Sequence, residues 1–435
     1  MDLLKSIDEL EACFDACERQ VQAFVAEEGR FERLRREARQ LLARFPDPRA
    51  RPALFGVLFG VKDILNVEGL ETRALSRLPV ELFRGPEAKS VTRLKEAGAL
   101  VLGKTVTTEL GYFVPGPTRN PHNPGHTPGG SSSGSAAAVG AGLCSLALGT
   151  QTIGSLIRPA AFCGVVGFKP TYGRVSRAGM IPPLAPSLDH IGIFTPDVAG
   201  AKRAAPCLYR DWDGEIQPPN RPVLGIPDGS YLENASQEAL VHFEKACQSL
   251  QMAGFTIRRV PAMPDFSLIR ERHHRIVAAE AARFHAAWFE EYAPLYSPNM
   301  TELIQRGQAV SDGELAAALE GRAQLRSELT GLMEAHAIDL WISPAAPGAA
   351  PLGLESTGDP VMNLPWSHAG LPTINLPSGL NDAGLPMGLQ ATGRWYADDR
   401  LLAWAEVLER ALPWKRAWAS PCMESGLAPV TTRSS

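Results

Sequence analysis

The chain of 435 residues has no long apolar run, no basic excess and no paired cysteine set. Each absence narrows what the protein can be. Its net charge is −4, with 43 Lys and Arg against 47 Asp and Glu. Nucleic-acid binding wants a basic excess on one face, so no nucleic-acid partner is expected. The basic stretch from Arg30 to Arg39 is interleaved with Glu32 and Glu37 and reads as a solvated helix face. Seven scattered cysteines, an odd number, make no disulfide framework and suit a reducing cytoplasm. From Arg119 to Arg158 no Asp, Glu, Lys or Arg intervenes, yet only Ala136 to Leu148 is steadily apolar. That length suits a buried helix and strand, not a bilayer span. The first ten residues carry acidic side chains where a signal peptide would need an apolar core. No membrane partner is expected, and a cytoplasmic location is.

What is present is alternation. Residues 1 to about 45 place apolar side chains at helical spacing and read as an N-terminal helical arm, ended by Pro48 and Pro52. Leu54 to Val61 is a continuous apolar run, the mark of a buried strand, and Lys62 and Asp63 follow it. Ser90–Ala97 reads as a helix, Ala99–Leu102 as a strand, Ala136–Gly142 as a small-residue helix and Leu143–Leu148 as a strand. Further strands are expected at 221–227, 256–260 and 339–343, and helices at 237–252, 268–289, 312–336 and 398–412. Strands alternating with helices throughout predict an α/β protein with one large domain over 1–435 and a core from 54 to 412. Its central sheet should be mixed and twisted, with helices on both faces. The Pro-rich stretch 217–222 is the best break point, and it reads as a loop inside one fold.

Two short motifs mislead. Gly98 to Thr105 satisfies the phosphate-loop pattern letter by letter, but its middle is apolar and strand-prone where a flexible loop is needed. Gly130-Ser-Ser132-Ser-Gly134 fits a nucleophile elbow, which would make an esterase-like α/β-hydrolase with Ser132 as nucleophile. The Pro- and Asn-rich residues before it cannot form the buried strand that such an elbow ends.

Three pieces remain that can carry chemistry together. Lys62 follows an apolar strand, Gly129-Gly-Ser-Ser-Ser-Gly-Ser135 opens a helix, and Gly149-Thr-Gln-Thr-Ile-Gly-Ser155 follows the next strand. A lysine is a base only when neutral, and burial at a strand end supplies the desolvation that lowers its pKa. With Arg158 to Pro170, Ser187 to Gly192, Gly370 to Pro377 and Gly384 to Gln390, these pieces resemble the amidase signature family. Within it the run Gly129–Gly142, the spacing from Ser155 to Arg158, and Gly358-Asp-Pro360 with Trp366 look like the malonamidase branch.

The resemblance implies an amide hydrolase with a Ser–Ser–Lys triad and no metal or organic cofactor. Ser155 would be the nucleophile that forms an acyl-enzyme. Ser131, in a cis peptide, would pass protons between it and Lys62. Backbone N–H groups of Thr152, Ile153, Gly154 and Ser155 are the candidate oxyanion donors, and Gly130 and Arg158 the candidate substrate-binding residues. The matching Arg of malonamidase-like enzymes helps hold a substrate carboxylate, as a bidentate guanidinium would. Ile153 departs from the family, which usually carries glycine or another small residue there. A positive φ at this position would strain isoleucine; otherwise its side chain reshapes the acyl pocket. The expected substrate is a small amide, with or without a carboxylate, or an aryl amide, carbamate or urea. Kinship with malonamidase implies a homodimer. Amidotransferase subunits share the signature and act on glutamine within a complex, which is the second reading.

Overall fold

The structure is a computed structural model that describes residues 2–209, 212 and 221–414. Its frame is one ten-stranded sheet in the order β2-β1-β3-β5-β4-β9-β10-β8-β6-β7. The strands are β1 (Leu58–Lys62), β2 (Leu100–Thr105), β3 (Leu146–Gln151), β4 (Val166–Lys169) and β5 (His190–Thr195). They continue as β6 (Leu224–Asp228), β7 (Ile257–Pro261), β8 (Leu340–Pro344), β9 (Thr373–Leu380) and β10 (Pro386–Thr392). Neighbours at the two ends pair parallel, β2 with β1 with β3 and β8 with β6 with β7. The middle, from β3 through β5, β4, β9 and β10 to β8, pairs antiparallel. The expected mixed α/β sheet is therefore present.

Helices flank it in chain order: α1 (Leu3–Val21), α2 (Arg30–Arg44), α3 (Lys89–Glu96), α4 (Ser133–Gly140), α5 (Ile157–Phe162) and α6 (Val198–Leu208). Then come α7 (Gln237–Met252), α8 (Phe266–Tyr292), α9 (Pro298–Gln308), α10 (Asp312–Ala335), α11 (Leu364–Ala369) and α12 (Asp398–Ala411). Strand side chains alternate faces, so each strand feeds two cores. On β2, Leu100 and Leu102 join the smaller core built with α1, α2 and α4, while Val101 joins the larger one. On β3, Ala147 faces the smaller core and Leu146 and Leu148 the larger. The N-terminal arm thus covers one face of the sheet beside β1–β3, where the expected site residues lie.

Several expectations shift. β1 begins at Leu58 rather than Leu54, because Gly56 turns the chain with φ 75°. The helix expected from Ala136 starts at Ser133, inside the serine run. Arg30 and Arg33 are not a solvated face. Arg30 is buried, donates to Val25 O at 2.7 Å and lies over the rings of Phe14 and Phe24. Arg33 bridges Glu27 and Glu37 and donates to Val101 O, which ties α2 to β2. Burial was hidden because acidic partners within helical reach give buried and solvated guanidinium groups the same pattern. Cys144, Cys163, Cys207 and Cys247 are free thiols. No helix among the described residues is long and apolar enough to cross a membrane. Most of the proposed break at 217–222, and residues 415–435 of the proposed domain, lie outside the described residues.

Candidate active site

β1 and β3 are adjacent and parallel, so Lys62 and Thr150 come out at the same edge of the sheet. Ligands of such sheets sit beyond the carboxyl ends of the strands. Lys62 is fully buried, and its Nζ donates to Ser131 Oγ and Thr150 Oγ1, each at 2.7 Å. Burial brings its pKa down to about 7, against a weaker upward pull from the Asp189 charge. An amine in that range is neutral in a large fraction at neutral pH and can take a proton.

Ser131 follows a cis peptide bond with Gly130. The neighbouring serines do different work. Ser132 Oγ donates to Thr150 O and accepts from Thr150 N, and it is fully buried. Ser133 donates to Val106 O, and Ser135 donates to Leu148 O. These bonds fasten the start of α4 to β3 and to the chain after β2. They leave only the Ser131 hydroxyl facing Lys62, and they occupy the hydroxyl of Ser132 that an esterase-like elbow would need. The phosphate-loop match fails likewise: Lys104 lies within β2 in a buried ion pair with Asp63 at 2.9 Å.

Between β3 and α5 the chain turns through Thr152, Ile153, Gly154 and Ser155. Gln151 holds the turn from behind: its Oε1 accepts from Leu156 N and Ile157 N, and its Nε2 donates to Ser367 Oγ. Ser367 Oγ donates in turn to Ile153 O at 2.7 Å. Thr152 Oγ1 donates to the buried Asp189 carboxylate at 2.5 Å. At Gly154 a Cβ would come within 2.5 Å of Asn363 Oδ1, so only glycine fits. The N–H groups of Ile153, Gly154 and Ser155 have no acceptor among the described residues, which leaves them free to stabilise an oxyanion. Ile153 does not adopt a positive φ, so isoleucine is unstrained there. Its side chain instead packs in the larger core and lines the cavity.

Ser131, Thr152, Ile153, Gly154, Ser155 and Arg158 line one narrow cavity of about 20 Å³. Thr357 and Pro360 also line it and are shared with an outer chamber of about 550 Å³. Arg158 is buried. Its Nη2 donates to Gly130 O at 2.7 Å and Thr357 Oγ1 at 3.0 Å, while Nε and Nη1 have no partner among the described residues. Burial lowers its pKa to about 10, with Asp359 pulling the other way, so the group stays cationic. Gly130 is not among the cavity-lining residues. Its carbonyl holds the guanidinium, and a Cβ there would press on Thr357 Cγ2 at 2.8 Å.

The site thus brings together Lys62, Ser131, Ser155, Arg158 and the turn at 152–154. Sequence reading missed Thr150, Gln151, Asp189 and Ser367 as supports. Thr150, Gln151 and Asp189 stood inside the motifs already singled out, so their positions were visible, but only a structure shows which way each points. Ser367, far along the chain, gave no signal.

The chain belongs to the amidase family, whose model matches residues 8–402. It is 34% identical over 452 residues to a glutamyl-tRNA(Gln) amidotransferase subunit of Synechococcus sp. (strain RCC307), covering 91% of each chain. Its fold is similar to a crystal structure of an amidase, with TM-score 0.84 and 33% identity over 95% of this chain and 96% of that one. The native peptide amidase of Stenotrophomonas maltophilia gives TM-score 0.78 and 26% identity over 95% of this chain and 94% of that one. These likenesses carry the family, not the malonamidase branch within it.

Proposed function

We propose that this chain hydrolyses a small amide through an acyl-enzyme on Ser155. The observation that carries the reading is the buried lysine joined by one short hydrogen bond to a serine that shares a cavity with a second serine. Neutral Lys62 takes the proton of Ser131, Ser131 takes that of Ser155, and Ser155 Oγ attacks the carbonyl carbon. The oxyanion meets N–H groups of the turn at 152–155. On collapse the C–N bond breaks, and the proton returns through Ser131 to the leaving nitrogen. Water then repeats the sequence on the ester, releases the acid and restores Ser155. Trapping the acyl-enzyme by mass spectrometry in the presence of small amides tests this reading; hydrolysis with no adduct traceable to Ser155 would refute it.

Arg158 supports a substrate that carries a carboxylate, since two of its buried donors lack partners among the described residues and charge-assisted bonds are the strong ones. Arg158→Met should cut kcat/KM for malonamate by about 10²-fold, the worth of ~3 kcal/mol of charged hydrogen bonding. An uncharged amide of similar size should lose far less, and equal losses on both would remove Arg158 from substrate recognition. Ile153 narrows the acyl side. Ile153→Ala should raise the preference for a branched over an unbranched acyl amide by roughly tenfold, the value of one or two buried methylenes. Competition assays on the two amides measure it.

The amidotransferase relative favours a second reading, a glutaminase working in a complex. Ammonia release from small amides by the purified chain alone separates the two.

A further inference from the structure

Another cavity, of about 250 Å³, lies in the chain that follows β1, and the catalytic reading does not use it. Residues 66–72 and 80–85 form it, with Val67, Leu70, Val80 and Phe83 as apolar walls and Asn66 at its buried end. Asn66 is 5% exposed, and its Nδ2 has no hydrogen-bond partner among the described residues.

The orientation of that amide follows from charge. Lys104 is bound to Asp63 and donates from Nζ to Thr72 Oγ1 at 2.8 Å. An ammonium only donates, so the Thr72 hydroxyl must accept there and spend its own proton elsewhere. It donates to Asn66 Oδ1 at 2.7 Å. That fixes the amide oxygen toward Thr72 and leaves Nδ2 unpaired on a residue that lines the cavity. A buried donor left unmatched is costly, and a ligand's acceptor oxygen would satisfy it. The rim charges do not select a sign, because Glu71 pairs with Arg73 and Arg84 with Glu81.

We propose that this cavity is a second binding site, taking a compact apolar molecule through a carbonyl or carboxylate oxygen on Asn66 Nδ2. The site is wired to the catalytic strand end. The chain Asn66–Thr72–Lys104–Asp63 ends on the residue next to Lys62. Asp63 Oδ2 also accepts from Ala74 N, and Ala74 O accepts from Leu110 N, next to Gly111 in the wall of the Ser155 cavity.

Pivalamide and pivalate are suitable probes, each a tert-butyl body with one acceptor group. Each is titrated into the Ser155→Ala protein, which removes turnover, and followed by amide NMR. The Asn66 side-chain signals are assigned by their loss in Asn66→Asp, which keeps the acceptor for Thr72. The expected result is a saturable shift of the Asn66 pair and of the Asp63 backbone amide with one Kd. Response to one probe alone assigns the ligand to amides or to carboxylates. Gly85→Ala is the blocking variant, because a Cβ there sits 3.0 Å from Asn66 Nδ2 and from Ile181 Cδ1. It should weaken binding at least about fivefold, one hydrogen bond's worth. An Asn66 pair that neither probe moves overturns the proposal, as does binding that is unchanged in Gly85→Ala.

Discussion

Ser155→Ala should lower kcat for any amide substrate by about 10⁵–10⁶-fold, the scale on which a catalytic serine is lost when no neighbour can replace it. No neighbour can here. The hydroxyls of Ser132, Ser133 and Ser135 each donate to a backbone carbonyl, and Ser131 is held by Lys62. The folded state should hardly notice the change, since no residue takes a side-chain hydrogen bond from Ser155 among the described residues and the side chain faces the cavity. A denaturation midpoint within about 0.5 kcal/mol of the parent is therefore expected alongside the loss of turnover. Turnover in purified Ser155→Ala above about a hundredth of the parent's would place the nucleophile elsewhere.

How much of this could be read beforehand depended on whether the signal was local. Lys62 announced itself because a charged residue ended a run of apolar ones, and the structure puts that amine out of water. The long helices α7, α10 and α12 carried their apolar spacing openly, and they fall within two residues of the expected bounds. β4, β5, β9 and β10 were seen only as motif text. β4 is four residues long, and β9 and β10 carry Pro and Gly at or near their ends, where strand propensity is weakest. The antiparallel pairing of β4 with β9 in the middle of the sheet joins residues more than 200 apart, such as Phe168 and Ile374, and no short-range pattern encodes that. The supports of the turn at 152–155 were illegible for the same reason. Gln151 reaches Ser367 across 216 positions, and Arg158 reaches Thr357 across 199.

Lys62→Met should abolish base catalysis and also stabilise the protein, by an amount that depends on pH. In the unfolded chain the lysine keeps its ordinary pKa of 10.5, whereas burial brings it to about 7 in the fold. Below pH 7 both states hold the proton, and the fold bears the full cost of a desolvated charge. At ~1.4 kcal/mol per pH unit that cost is about 5 kcal/mol. Between pH 7 and 10.5 only the unfolded chain binds the proton, so parental stability climbs with pH; above 10.5 the penalty is gone. Methionine has no charge to bury, but it leaves Ser131 Oγ and Thr150 Oγ1 without the Nζ they share. Two hydroxyls losing a buried partner cost roughly 2–4 kcal/mol at every pH. The variant should therefore exceed the parent by a few kcal/mol at pH 6 and fall below it near pH 10. Lys169, also brought to about 7 by burial, titrates alike in both proteins and cancels from the difference. Urea denaturation of both proteins at pH 6, 8 and 10 reads the crossing directly. Turnover of the parent should rise with pH through the same region near 7, because the neutral amine is the active form. A stability difference that stays flat across that range would mean that Lys62 keeps its charge in the fold, and an ammonium there cannot start the proton relay.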